Sequence, residues 1–356
     1  MNPKVYISLI VGAIFSCLGL YLAFRNVPIA SLLDYTAQIN YVWTLPAAVS
    51  LVLAYLVRSI RWQWLLRPAE PLRLSSAYHS IIISMMTNCL LPGRIGELVR
   101  PIVLKRLEAV PFTSSLATLG VERLLDLATL LVLLLPTLML LAPTAGNAVT
   151  FGRYQLNRHL LTNLGMFSLL TAFILLIFIY TLGSARFRAV VMSWLSHLPS
   201  LAKWTGSTKL KTVMQHGVLH VSEALEKGAQ GVQAIRNIRG FLVALLTSFI
   251  FWSLNALSFY FLALGSPGID LSLIEICGVM VVICFFIALP SVPGFWGLWE
   301  AAGVLALSFF GIAGNAAAGY SLFSHAFAIF PAIFAGWLSC LILGVRWQTL
   351  TKRESF

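Results

Sequence analysis

Long apolar runs separated by short polar segments make up most of the chain. Five runs each approach or exceed the roughly 20 apolar residues that an α-helix needs to cross the hydrocarbon of a bilayer. They predict membrane-spanning helices at Val5–Phe24, Leu116–Leu141, Leu160–Leu182, Phe241–Leu264 and Gly319–Gly344. A sixth span is predicted at Tyr41–Val57, with Leu66 as an alternative end. The first run lacks an Ala-x-Ala cleavage site, so we interpret it as a retained span and not as a signal peptide.

Two further apolar regions are interrupted by proline and glycine. Residues 75–107 are broken at Pro92-Gly93, and residues 271–311 are broken at Pro290-Ser-Val-Pro293-Gly294. The half-segments on either side of each break are short for a complete crossing. Irregular backbone at membrane depth is tolerated where protein buries it or where it lines a polar cavity. Each region therefore predicts a re-entrant helical hairpin with its tip at the break.

The two broken regions share the pattern Pro-Gly-x-x-Gly followed by a glutamate. The residues at the predicted tips are Pro92, Gly93, Gly96, Pro293, Gly294 and Gly297. Matching broken segments in two halves of a transporter are typical of an inverted repeat with its binding site near the midplane. We therefore expect one membrane domain, 1–356, with a first half at 1–142 and a second half at 241–345. The alternative is two unrelated breaks in an apolar protein.

Composition supports an all-helical polytopic membrane protein. The chain is 59% hydrophobic and 10% charged, whereas soluble domains carry about 25% charged residues. The net charge of +12 fits a positive cytoplasmic side and anionic lipid, so we expect no nucleic-acid partner. The five cysteines lack Cys-x-x-Cys spacing, and no Gly-x-x-x-x-Gly-Lys-[Ser/Thr] motif for ATP phosphates occurs. We expect no metal and no cofactor.

Basic residues predict the orientation of the chain. Four arginines follow the second span, which places that side in the cytoplasm by the positive-inside rule: Arg58, Arg61, Arg67 and Arg73. Both termini are then cytoplasmic, the first hairpin enters from the cytoplasm and the second enters from outside. Residues 183–240 are basic, with apolar residues at helical spacing, and predict amphipathic helices along the inner leaflet.

Seven charged residues fall within or beside the predicted membrane segments. An isolated charge at the bilayer centre costs at least about 2.5–3.5 kcal/mol, so each needs a partner or a wet cavity. Arg123 and Asp126 are spaced to pair on one helix face, and arginines near a hairpin tip suit a lipid phosphate. We predict substrate binding and translocation at Arg94, Glu97, Arg100, Glu122, Arg123, Asp126 and Glu300. Alternatively, these residues neutralise one another and fix the hairpins to the neighbouring helix.

Other side chains are weaker candidates for the site. Trp296 and Trp299 beside the second tip either stack on a headgroup or shape the hairpin. His79 and His325 are candidates for titration, and we favour ordinary helix packing for both. His216 and His220 are candidates for metal binding, and we favour a solvated helix face for both.

Three motifs carry a resemblance to a known family. Leu91-Pro-Gly-Arg-Ile-Gly-Glu-Leu-Val-Arg-Pro101, Gly120-Val-Glu-Arg-Leu-Leu-Asp126 and Pro293-Gly-Phe-Trp-Gly-Leu-Trp-Glu300 occur in this order. They resemble the flippase-like membrane family that includes the transmembrane region of lysylphosphatidylglycerol synthases. The resemblance implies lipid translocation between leaflets, often of aminoacylated or otherwise modified phospholipids, in a bacterial cytoplasmic membrane. It also implies that the seven charged residues above belong to the family's polar motifs.

The resemblance makes a lipid flippase or scramblase the leading hypothesis. Its partners are membrane lipids with anionic or modified headgroups, and a partner synthase or a second copy of the chain. Because the sequence ends at Phe356, soon after the last span, we expect no synthase activity and no enzyme. The alternatives are an embedded enzyme acting on a lipid-linked phosphate, a secondary transporter of a small polar solute and a non-catalytic membrane subunit.

Overall fold

A computed structural model describes residues 3–67, 72–91, 94–141, 149–151, 154–156, 158–182, 233–312 and 314–344, with isolated positions between 184 and 218. Its α-helices are α1 (Pro3–Phe24), α2 (Ile29–Gln38), α3 (Thr44–Leu66), α4 (Leu74–Leu90), α5 (Gly96–Glu108), α6 (Phe112–Leu141), α7 (Arg158–Leu182), α8 (Ile238–Leu264), α9 (Leu273–Phe286), α10 (Leu298–Ser308) and α11 (Gly314–Ile342). Short 3₁₀-helices lie at Tyr41–Trp43, Gln233–Arg236 and Pro293–Phe295. The prediction of an all-helical polytopic fold is confirmed.

Among the residues that the structure describes, five helices are long and apolar enough to cross a bilayer. They lie at Tyr41–Leu66, Phe112–Leu140, His159–Thr181, Ile238–Leu264 and Gly314–Ile342. A sixth candidate is the bent pair of α1 and α2, whose axes differ by 74°. Counted with this pair, the candidates number six, as the sequence predicted. Of the two predicted ends for the second span, Val57 and Leu66, the structure has Leu66.

The two broken regions form pairs of short helices that pack against each other. In the first region, α4 has 17 residues and α5 has 13, and the two helices are in contact. In the second, α9 has 14 residues, α10 has 11 and they also pack together. A helix rises 1.5 Å per residue, so each falls short of the roughly 30 Å of hydrocarbon. The re-entrant course and the inverted repeat stay predictions.

Helix packing places the hairpins inside the bundle. α3 lies along α8, and α4 lies along α11, while α1 contacts α10. Small residues allow these close approaches, as in other membrane helices. A Cβ atom at Gly336 of α11 would meet the side chain of Met86 on α4, and one at Gly96 would meet the Ser84 carbonyl oxygen. The first hairpin therefore packs against α3 and α11, and its two helices, α4 and α5, pack against each other.

The basic segment 183–240 lies outside the described residues apart from its end, where Gln233–Arg236 leads into α8, and a few isolated positions. Between α6 and α7, Val149–Phe151 pairs antiparallel with Tyr154–Leu156. This short strand pair was not predicted. Each strand alternates apolar and polar residues over only three positions, which is shorter than the runs of about four to eight residues that indicate a strand.

Candidate functional site

A buried network of ion pairs joins α3, α5 and α6. Glu122 Oε1 accepts hydrogen bonds from Arg58 Nε at 2.7 Å and from Arg100 Nη1 at 3.1 Å. The Glu122 carboxylate also forms ion pairs with Arg61 Nη2 at 3.0 Å and Arg100 Nη2 at 2.9 Å. The side chains of Glu122 and Arg61 are completely buried. Buried charges are tolerated only when they are paired and hydrogen-bonded. Glu122 is therefore the central anion of the network.

Asp126 extends the network by one helical turn. Because it follows Glu122 at i+4, both carboxylates lie on the same face of α6. Asp126 Oδ1 is 2.8 Å from Arg61 Nη1 and accepts a 3.2 Å hydrogen bond from Trp252 Nε1 on α8. Arg61 Nη1 also donates to Ser248 Oγ at 2.5 Å. Side chains from α3, α6 and α8 therefore enclose Asp126.

Arg123 connects the network to the first hairpin. Its Nη2 is 3.1 Å from Glu97 Oε1 on α5, and its Nη1 is 3.7 Å from Asp126 Oδ2. The second of these is the i,i+3 pair that the sequence predicted. Unlike the central charges, Arg123 and Glu97 are partly accessible, with 37% and 23% of their side chains exposed. This end of the network opens into a cavity.

The cavity lies between α3, α4, α8 and the second hairpin and has a volume of about 180 Å³. At roughly 10–15 Å³ of such volume per water molecule, it holds on the order of ten waters. Part of its lining is aromatic and includes Phe259 and Trp299. Its charged and amide side chains are Arg58, Asn88, Arg94, Glu97, Arg123 and Asn255.

A second cavity of about 220 Å³ adjoins the first. It is lined by the segment from Ala288 to Val292, which precedes the second tip, together with Leu91. Asn88, Arg94 and Phe295 line both cavities. These three side chains form the wall between the two cavities, which we call the shared wall.

Two of the three residues of the shared wall occupy equivalent positions of the two tip motifs. Arg94 and Phe295 are each the third residue of Pro-Gly-x-x-Gly, and their φ angles are +56° and +62°. Left-handed backbone is uncommon for residues other than glycine. Arg94 Cζ lies 5.8 Å from the centre of the Phe295 ring, and its Nη2 donates to the Ile287 carbonyl oxygen at 2.5 Å. Pro92 and Gly93 lie outside the described residues.

Glu300 belongs to a separate buried arrangement at the second tip. Its Oε2 accepts a 2.7 Å hydrogen bond from the Gly297 amide, and its Oε1 is 2.6 Å from His325 Nδ1 on α11. His325 Nε2 is 2.7 Å from the Gly294 carbonyl oxygen, so Nε2 carries a proton. One further proton then lies between Nδ1 and Oε1. The Glu300–His325 pair is therefore neutral overall.

Aromatic rings enclose His325. Trp299 stacks on it with ring centres 4.7 Å apart, and Trp296 packs against it at 4.6 Å. Trp299 also lines the first cavity, and its Nε1 donates to Ser324 Oγ at 3.3 Å. The two tryptophans therefore shape the second tip, and Trp299 is in addition accessible from the cavity.

The structure divides the seven predicted site residues into three groups. Arg94, Glu97 and Arg123 line the first cavity. Arg100, Glu122 and Asp126 are buried in the network behind it. Glu300 is completely buried and has no described contact with the network. Whether these residues act in translocation stays a prediction.

Two central residues of the network, Arg58 and Arg61, were not among the predicted site residues. Arg58 and Arg61 were counted as cytoplasmic charges, but they are 5% and 0% exposed and lie within α3. Their spacing, three residues apart inside a helix that continues to Leu66, is the signal that identifies them as one polar face. The orientation that these two arginines helped to assign stays a prediction.

In the described part of the chain, the other histidine that was a candidate contributes to helix packing. His79 Nδ1 is 3.1 Å from Ser339 Oγ, a contact between α4 and α11. His216 and His220 fall on residues that the structure does not describe. In the described ranges, no three His, Cys, Asp or Glu side chains are grouped to hold a metal ion.

Comparison with known families identifies one match that covers most of the chain. Residues 9–336 match the family described as the lysylphosphatidylglycerol synthase TM region. The matched range contains both hairpins, the ion-pair network and both cavities. No solved structure matches the chain.

One curated relative has a name that implies an activity. A protein named Glycosyltransferase AglD, from Haloferax volcanii, is 28% identical over 150 residues. The match covers 41% of this chain and 24% of that protein. The chain thus corresponds to about a quarter of this relative.

Proposed function

This chain belongs to the lysylphosphatidylglycerol synthase transmembrane-region family, and from this premise we propose that it moves phospholipid headgroups between the two leaflets of a membrane. The observation that carries the proposal is the pair of cavities separated by Asn88, Arg94 and Phe295. In this proposal, the headgroup passes from one cavity to the other across the shared wall while the acyl chains stay in lipid.

The contrast between the interior and the outer surface supports a lipid cargo. Large apolar side chains are exposed on the outer faces of the spanning helices, for example Phe173 of α7 at 61% and Phe334 of α11 at 65%. Such faces suit acyl chains. The first cavity instead carries three arginines and a glutamate. A lipid in transit needs both surfaces at once, because its headgroup cannot enter hydrocarbon without a large desolvation cost.

The buried network gives the cavity side chains fixed positions. Arg58 lines the cavity and is held from behind by Glu122, and Arg123 is held by Glu97. An arginine that is already oriented loses less conformational entropy when it binds a phosphate. We therefore assign Glu122 and Asp126 a positioning role and Arg94 and Arg123 the direct contacts with the headgroup.

The proposal includes a location and an orientation. We place the chain in a bacterial cytoplasmic membrane with both termini in the cytoplasm and with the two hairpins entering from opposite sides as an inverted repeat. The matching left-handed residues at the two tips support this symmetry. The proposal places Arg25 outside the cell and Lys105, at the end of the first hairpin, in the cytoplasm, and both residues are exposed. Labelling of single cysteines at Arg25 and Lys105 with an impermeant reagent on intact cells tests the orientation, because only the first position should react. Equal accessibility of both positions would contradict it.

Reconstitution tests the function. Vesicles containing the purified protein and a phospholipid with a fluorescent acyl chain are treated with an impermeant reductant, which bleaches only the outer leaflet. We expect bleaching beyond one half in vesicles with wild-type protein and much slower bleaching with Arg94→Ala. Arg25→Ala, which removes an exposed arginine distant from the site in sequence, is the matched control. Equal rates for protein-containing and protein-free vesicles would refute the proposal.

A second candidate is an embedded enzyme that acts on a lipid-linked phosphate. The name of the Haloferax relative favours it, and Glu97 is a partly exposed carboxylate in the cavity that is able to act as an acid or a base. An enzyme converts its lipid in detergent micelles, where there is no second leaflet. Product formed in micelles and abolished by Glu97→Gln would favour the enzyme over the translocator.

A further inference from the structure

The cavity and its supporting network carry an excess of positive charge. Four arginines meet three carboxylates in the network, namely Arg58, Arg61, Arg100 and Arg123 with Glu97, Glu122 and Asp126. One positive charge therefore has no counterpart there. The nearby Glu300–His325 pair is neutral and does not change this balance.

Arg94 adds a second unbalanced charge at the shared wall. Within the described ranges, no carboxylate oxygen lies within ion-pairing distance of its guanidinium. Its described hydrogen bond goes to the carbonyl of Ile287, the C-cap residue that directly follows α9. A helix C-terminus supplies at most about half a negative charge. The remaining face of Arg94 is turned to the two cavities.

A half-buried guanidinium without a carboxylate is costly unless something else neutralises it. The wall offers the aromatic face of Phe295, which attracts a cation only weakly. A phosphate oxygen entering either cavity would complete the coordination of Arg94 by a short, charge-assisted hydrogen bond. An ammonium group entering the same space would meet uncompensated positive charge.

We propose that the translocated headgroup is a phosphate with net negative charge, as in a phosphodiester or phosphomonoester lipid, and that the site rejects headgroups made cationic by an attached amino acid. Arg94 passes this phosphate from one cavity to the other because it lines both. The inference rests on the proposed function and specifies its cargo. The proposed cargo differs from the aminoacylated lipid that the description of the family suggests.

Three acyl-labelled lipids in the same vesicles test the charge preference. They are phosphatidylglycerol with one negative charge, phosphatidylethanolamine with none and lysylphosphatidylglycerol with one positive charge. We expect wild-type protein to move phosphatidylglycerol at least about tenfold faster than lysylphosphatidylglycerol, with phosphatidylethanolamine between them. Arg94→Gln should reduce that ratio to about two or less, whereas Arg94→Lys retains a preference and Arg25→Gln changes nothing.

The possible outcomes separate the inference from the function. Equal or faster movement of lysylphosphatidylglycerol overturns the charge preference and leaves translocation intact. Movement of none of the three lipids overturns translocation itself. A uniform slowing of all three lipids by Arg94→Gln overturns the role of Arg94 in selection. Uptake of radioactive inorganic phosphate into sealed vesicles without lipid movement would assign the same anion chemistry to a free solute.

Discussion

Replacing Glu122 by glutamine removes the anion shared by three buried arginines. The side chain keeps its size, so no cavity forms, but the four arginines of the network then face only two carboxylates. Breaking a buried ion pair by removing one partner typically costs about 3–5 kcal/mol, because the other charge is left without compensation. Asp126 still pairs with Arg61 at 2.8 Å, so the loss falls mainly on Arg58 and Arg100.

This loss predicts a measurable change in thermal stability. Unfolding entropy of about 2.1 cal/mol/K per residue, over 356 residues, converts 3–5 kcal/mol into a decrease in Tm of about 4–7 °C. Thermal unfolding in detergent, followed by tryptophan fluorescence, measures the change. Glu108→Gln is the matched control, because Glu108 pairs at 2.7 Å with Arg73, whose side chain is 73% exposed. Exposed pairs contribute about 0–1 kcal/mol.

A double variant sharpens the result. Removing Arg58 as well takes away one of the charges that Glu122→Gln leaves without a partner. The combined Arg58→Gln and Glu122→Gln protein should therefore lose less stability than the sum of the two single changes. A Tm for Glu122→Gln within about 1 °C of the wild-type value would refute the reasoning, as would strict additivity in the double variant.

Two further predictions concern the second tip. Gly297→Ala should lower the free energy of unfolding by about 1–3 kcal/mol, because φ is +88° and the new Cβ would meet the Ser16 carbonyl oxygen. The control is Gly120→Ala in α6, where the space around the glycine is open and the free energy of unfolding should rise by up to about 1 kcal/mol. Chemical denaturation of the two variants distinguishes the opposite signs. His325→Phe should lower the free energy of unfolding by at least about 2 kcal/mol, because it leaves two buried acceptors, on Glu300 and Gly294, without their partner. Unchanged stability in the same assay would contradict these two hydrogen bonds.

The sequence was sufficient for the helices and for the existence of the two broken regions. Apolar runs longer than about 20 residues have few alternatives to a spanning helix, so the long helices appear where they were predicted. The regions that proline and glycine interrupt likewise form pairs of short helices, one on each side of each break. The start of α6 at Phe112, four residues before the predicted Leu116, shows that polar residues at a helix end are assigned less reliably.

The partners of the buried charges depend on tertiary packing. The pair of Arg123 with Asp126 was predictable because it lies within one helix. Arg58 and Glu122 are 64 positions apart, and their contact exists only because α3 packs beside α6. A sequence pattern gave no information on that contact, and the bias of basic residues toward the cytoplasm favoured an exposed position for Arg58.

Glu300 illustrates a different limit. Its position after a Pro-Gly-x-x-Gly motif predicted a place among the other charged residues. The structure instead gives one carboxylate oxygen to the Gly297 amide and the other to His325 on α11. The capping hydrogen bond at the start of α10 is local, whereas the contact with His325 depends on tertiary packing. The motif located the residue correctly along the chain but not its surroundings.

Reversible obstruction of the first cavity tests the central claim most directly. Asn255 lines this cavity from α8, so a single cysteine there, in a protein whose five native cysteines are replaced, allows attachment of a bulky thiol reagent. Lipid translocation in reconstituted vesicles should fall at least about tenfold after modification and return after reduction. The same modification at Val49, exposed at 52% on α3, should have no effect. Undiminished translocation with Asn255→Cys fully modified would show that headgroups do not pass through this cavity.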